Sequence, residues 1–182
     1  MVHVSLSWKR IDWQPDETWG KHVLPKIEAV GLASTDLKRC VYVIRLNGDY
    51  CISYPGGTSP TLYVGEGNFN QRINSHRKWV TGLRELVGEF SFQVCIAVPR
   101  VRNSPGAYLD AEAAILERFE KHFKTAPLWN KQFEKRRNAY SYSDPTIDQA
   151  ICKRSGAKYK WAITPMKSSP FYSDFVRTHR EV

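Results

Sequence analysis

Two short runs of β-branched and aromatic residues, 39–46 and 61–65, separated by a stretch rich in glycine and proline, constrain this chain more than any other feature. The first reads Arg-Cys-Val-Tyr-Val-Ile-Arg-Leu and the second Thr-Leu-Tyr-Val-Gly. Side chains of these kinds favour the pleated, half-buried surface of a sheet. Between them, Asn47-Gly48-Asp49 signals a turn and 54–60 a loop, so the expectation is an antiparallel hairpin with an elaborated connection. A third run, 89–98, begins with alternation and then becomes continuously apolar. It reads as a strand more deeply buried toward its end.

Asn68 or Asn70 can cap a helix over about 70–79, and Thr81 can start a second short one to 86. Apolar residues at helical spacing mark a stronger helix over 108–123, stopped by Pro127. Strand, strand, helix, strand, helix predicts an α+β fold, a small three-stranded antiparallel sheet flanked by helices. The core spans 39–131. Before it, 1–38 forms an N-terminal helical arm: Asp16 caps a helix that runs to about Ala33 and carries Trp19, Val23, Ile27 and Val30, kinked or shortened at Pro25, and peripheral to the core. After it, 132–182 is a basic C-terminal extension with little periodicity.

At 182 residues the chain is one domain of ordinary size with appended arms. Its formal net charge of +9 favours a polyanionic partner, because neutralising phosphates releases condensed counterions. The start carries no signal-peptide pattern, and no run reaches the roughly eighteen apolar residues of a membrane span. Cys40, Cys51, Cys95 and Cys152 form no Cys-x-x-Cys pair, which argues against thiolate zinc and for free thiols in the cytoplasm.

Chemistry-bearing residues follow the strands in order. Tyr42 and Tyr63, on neighbouring strands, can project phenols from one sheet face. Arg72 offers a guanidinium fork suited to phosphate, and His76 lies one helical turn further on the same helix face. Glu112 falls within the apolar arc of Leu109, Ala113, Leu116, Phe119 and Phe123. A carboxylate facing a core is costly unless it is paired or bound to metal. One carboxylate with waters and substrate oxygens suits a single Mg²⁺. Asn130 can hold a phosphate or a backbone segment by hydrogen bonds.

Cys40-Val41-Tyr42, Tyr63-Val64-Gly65, Arg72-x-x-x-His76, Glu112 and Pro127-Leu128-Trp129-Asn130, in this order, resemble the GIY-YIG nucleases. They are most like the restriction endonuclease branch. Cys40 stands where glycine is usual, and the segment between the tyrosines is longer than in compact members. The resemblance covers 39–131 and implies a GIY-YIG-like fold and a metal-dependent endonuclease, using Mg²⁺ or Mn²⁺, that cuts duplex DNA at specific sites. It assigns catalysis to Tyr42, Tyr63, Arg72, His76, Glu112 and Asn130, with Glu112 as metal ligand. A homodimer on DNA is expected if both strands of a palindrome are cut.

Each residue also has an ordinary reading. Single strand tyrosines are usually half-buried packing residues, Arg72 a solvated helix residue, and Asn130 a turn. Glu117, at the edge of the apolar arc, competes with Glu112 for the metal. The general base stays open between Tyr42, Tyr63 and His76. Arg100, Arg102, Lys135, Arg136 and Arg137 are the foremost candidates for phosphate contacts, with Lys153, Arg154, Lys158 and Lys160 behind them. A nucleic-acid-binding module without catalysis, or a nuclease of RNA or single strands whose Tyr140, Tyr142, Tyr159 and Trp161 stack bases, are the competing functions.

Overall fold

A computed structural model describes residues 2–47, 50–87, 91–131, 136, 140–153, 160–161, 172–173 and 176. Nine strands and four α-helices are described: β1 (Val2–Val4), β2 (Lys9–Trp13), α1 (Leu24–Ala29), β3 (Cys40–Asn47), β4 (Tyr50–Tyr54), β5 (Gly57–Ser59), β6 (Thr61–Gly67), α2 (Phe69–Val87), β7 (Ser91–Ala97), α3 (Ala107–Phe123), β8 (Tyr140–Tyr142), α4 (Asp144–Ile151) and β9 (Lys160–Trp161). The architecture is α+β. None of the helices described is long and apolar enough to cross a membrane.

The main sheet has the order β2-β7-β3-β6, every neighbour antiparallel. Its central strand β3 is buried at every position before Asn47, which is why Val-Tyr-Val-Ile runs on without polar alternation. The sheet has four strands rather than the three expected, because the N-terminal arm supplies β2. Lys9-Arg10-Ile11-Asp12-Trp13 buries Ile11 and Trp13 and pairs Lys9 with Ile96 and Trp13 with Phe92. The arm is therefore part of the core, and Val23, Ile27 and Leu37 are buried with it. Its helix is shorter than 16–33: a π-helical turn, Trp19–Val23, leads into α1 with Pro25 in the first turn.

The connection between the tyrosine strands is itself a hairpin. β4 and β5 pair antiparallel through Ile52 with Ser59 and Tyr54 with Gly57. Its turn sits on the end of α3: the Gly56 N–H donates to the Phe123 carbonyl at 3.0 Å, and a Cβ at Gly56 would meet the His122 carbonyl oxygen at 2.4 Å. Gly48 and Asp49 lie outside the described residues.

α2 is one helix, not two. Phe69, Ile73, His76, Val80 and Leu83 continue a single buried stripe past Thr81 and Gly82, and that packing overrides the roughly 1 kcal/mol cost of a mid-helix glycine. The C-terminal extension also contains a helix, α4, which follows Ser143 and carries Pro145 in its first turn. It buries Ile147, Ala150 and Ile151. Buried Arg45 of β3 donates to the last carbonyls there, Gln149 at 3.3 Å, Ala150 at 3.0 Å and Cys152 at 3.3 Å. The Ser59 and Thr61 hydroxyls both donate to Ile151. These bonds satisfy the orphan acceptors of a helix end.

Candidate active site

Antiparallel register places Tyr42 opposite Gly65 and Ile44 opposite Tyr63, so Tyr42, Gly65 and Tyr63 share one face of the sheet. The two phenol rings lie 6.1 Å apart. Glycine at 65 is a steric requirement: a Cβ there would lie 2.5 Å from the Tyr63 ring and 2.7 Å from the Tyr42 hydroxyl. α2 covers this face and brings in Phe69, edge-on to Tyr42 at 5.0 Å, and His76, whose ring centre is 4.5 Å from that of Tyr63.

His76 is buried and bonded at both nitrogens. Its Nε2 lies 2.9 Å from the Tyr42 hydroxyl, and its Nδ1 accepts from the Trp79 indole N–H at 3.2 Å. Indole is only a donor, so Nδ1 must be unprotonated and the neutral ring carries its hydrogen on Nε2. His76 therefore donates to the Tyr42 oxygen and leaves the Tyr42 hydrogen to point elsewhere. Burial, helped by the Arg72 charge, lowers the imidazole pKa to about 4, which keeps the ring neutral at pH 7.

Burial raises the pKa of Tyr42 well above the usual phenol range, with Tyr63 and Glu112 adding to the rise and Arg72 opposing it. Tyr63 is only half-buried. Burial and then Glu112 raise its pKa, while Arg72 and the neighbouring Tyr42 hydroxyl lower it. Donors thus run in one direction, from the Trp79 indole through His76 to the Tyr42 oxygen. Arg72 is exposed on α2, 3.9 Å from Glu66 Oε1. Cys40, at the start of the Tyr42 strand, is fully buried with its thiol pushed up to about 12 by desolvation, an inert group.

Glu112 on α3 is 9% exposed, and its charge acts on both tyrosines. Glu117 is different: its side chain is 67% exposed and lies 3.8 Å from Arg136, away from the tyrosines. Among the described residues no three His, Cys, Asp or Glu side chains cluster as a metal cage. Asn130 touches backbone: its Oδ1 accepts from Val64 N–H and its Nδ2 donates to Val64 O, both at 2.8 Å. β6 is the sheet edge, so Asn130 stands in for a missing strand and fixes the peptide between Tyr63 and Gly65.

The candidate phosphate contacts do not form one group. Arg100 pairs with Asp36 at 2.6 Å on the rim of a cleft of about 440 Å³ that also takes in Lys38, Arg39 and Tyr108. Arg102 is exposed on the turn beyond it. Arg136 is held by Asp110 and Glu117 and lies over the Tyr142 ring. Lys135, Arg137, Arg154, Lys158 and Tyr159 lie outside the described residues. The sequence reading missed Gly65 as a spacer, Trp79 as the partner of His76, and Glu66, Lys38 and Arg39. Only Trp79 had a local signal, three residues after His76 on one helix face. Comparisons with family models, curated proteins and solved structures return no match.

Proposed function

We propose that the chain is a metal-dependent endonuclease that hydrolyses DNA phosphodiester bonds, with a GIY-YIG-like core. The observation that carries this is the packing of Tyr42, Tyr63 and His76 above Gly65, with the Arg72 and Glu112 charges both acting on the phenols. Ordinary strand tyrosines need neither a histidine held in one tautomer nor a glycine cleared beneath them.

Tyr63 is the general base. It is the more exposed phenol. Although burial and Glu112 raise its pKa, Arg72 and Tyr42 oppose that rise, and a cation held at Glu112 would cancel the carboxylate's share and favour the phenolate that accepts the proton. As the water oxygen attacks phosphorus, Tyr63 takes its proton, the P–O bond to the departing sugar oxygen breaks, and solvent protonates that oxygen. Arg72 binds the phosphate, as a fixed fork does. His76 orients Tyr42, and Asn130 holds the backbone that carries Tyr63. A single buried carboxylate fits a hydrated hard cation better than a cage, so Glu112 would hold Mg²⁺ or Mn²⁺. When bound, that ion neutralises charge on the phosphate and the departing oxygen. The basic cleft at Lys38, Arg39 and Arg100 would carry flanking phosphates.

Cleavage of plasmid and phage DNA with Mg²⁺ or with EDTA tests this. Wild type cuts only with Mg²⁺, giving discrete fragments if the enzyme is site-specific and of the restriction type. Glu112→Ala and Tyr63→Phe each lose about 10²-fold or more, while Glu117→Ala stays near wild type. Tight DNA binding with no Mg²⁺-dependent cutting would leave a binding module in its place.

A further inference from the structure

We infer that Trp129, backed by Trp79, is the platform on which an unpaired nucleobase stacks while the neighbouring phosphate lies at Tyr63 and Arg72; this rests on the nucleic-acid reading above. Among the described residues the large hydrophobic side chains left exposed are Val2, Leu128 and Trp129, at 56%, 44% and 37%. The last two are adjacent and border the site. Trp129 stacks on Trp79, with centroids 5.0 Å apart and planes 23° from parallel, and Trp79 lies 6.5 Å from the Tyr63 ring. An aromatic path therefore runs from the catalytic phenol out to solvent, close enough for the base of a nucleotide beside the scissile phosphate.

The path is held in place before anything binds. Trp129 N–H donates to Leu62 O at 3.0 Å, Leu128 N–H to the Tyr54 hydroxyl at 3.1 Å, and Asn130 grips Val64. The Trp79 indole is tied to His76. An ordered ring spares the entropy of ordering it on binding. Arg72, whose charge acts on Tyr63 at the inner end of this path, and the net charge of +9 select an aromatic ligand attached to phosphate. Within a duplex the faces of a base are covered by its neighbours, so the platform takes a flipped or single-stranded base.

The test uses the full chain without divalent cation and two labelled DNA single strands of equal length. One is oligothymidylate and the other is the same sugar–phosphate chain with no bases. Equal phosphate number keeps the electrostatic part of binding constant. Wild type should bind the base-bearing strand about tenfold tighter or more, and Trp129→Ala should bring the two within about twofold. Should Trp129→Ala not fold by circular dichroism, Trp129→Phe and Trp129→Leu decide: preference kept by Phe and lost by Leu supports stacking. Equal binding of both strands by wild type, no binding of either, or preference undiminished in Trp129→Ala or Trp129→Leu overturns it. A chain that prefers bases yet cuts nothing with Mg²⁺ loses the hydrolytic reading and keeps the platform. One that cuts but shows no base preference does the reverse.

Discussion

Helix α3 looks onto two polar regions that handle their charges in opposite ways. Toward α4, Arg118 forms a fork with Asp148, at 2.9 and 2.7 Å, and reaches Asp144 at 2.6 Å. Nearby, Tyr142 donates to fully buried Asp110 at 3.1 Å, with Arg136 3.7 Å from the same carboxylate. There opposite charges meet, and the result is attachment of the C-terminal extension. Toward the tyrosines the histidine and both phenols are instead held in uncharged forms beside the charges of Arg72 and Glu112, His76 by a lowered pKa and the phenols by raised ones. Matched charges stabilise a fold and leave little to react. Displaced proton affinities cost stability, and they are what acid–base chemistry requires.

The comparison breaks most visibly with pH. Neutral His76 is favoured in the folded chain, where its pKa is about 4, against 6.5 when unfolded. Its contribution is therefore whole above pH 6.5 and is lost as pH falls toward 4, because the unfolded chain takes up the proton first. The expected loss over that window is about 3 kcal/mol. Denaturant unfolding of wild type and His76→Phe at several pH values checks it. Phenylalanine does not titrate, so the gap between the two curves should close by that amount from pH 6.5 to 4. A constant gap would mean that His76 is solvated.

On the other region of α3, Arg118→Ala should cost about 2 kcal/mol, below the figure for fully buried pairs because Asp144 and Asp148 keep some access to water. Arg118→Lys should recover less than half, since lysine keeps the charge without the fork. Hydrogen exchange should report the loss first in α4. Neither variant should change the pH dependence assigned to His76, which is what separates the two regions.

The parts of this arrangement that were legible in sequence are those whose signal is local. β3, β6, β7 and α3 announce themselves because each is apolar enough to be recognised without a partner. β2 does not: Ile11 and Trp13 alternate with charges over only five residues, and β7, its partner, lies some eighty residues away. α4 had a usable signal in Ser143-Asp144-Pro145 and the Ile147/Ile151 pair, masked by the basic residues around it. At the site, the order of Tyr42, Tyr63, His76 and Glu112 suggested a group. The reasons it works as one, a glycine under two rings and an indole behind the histidine, exist only once strands and helix are packed. Arg136 shows the converse: its basic surroundings suggested a phosphate contact, and the fold gives it to Asp110 and Glu117.

The smallest expected effect on stability sharpens the comparison furthest, because it separates holding a site from holding a fold. Asn130→Ala removes two hydrogen bonds to Val64, but at a sheet edge water can replace them, so the cost should be about 1 kcal/mol. Asn130→Asp keeps the acceptor for Val64 N–H and turns an oxygen toward the Val64 carbonyl, so it should be less stable than alanine despite its similar shape. In both, cleavage should fall by more than the stability loss explains, since Val64 lies between Tyr63 and Gly65 and its peptide sets where the phenol points. Rates measured well below the unfolding midpoint, beside denaturation curves, separate the two effects. Equal stability losses with unchanged rates would reduce Asn130 to a turn residue and detach the sheet edge from the chemistry.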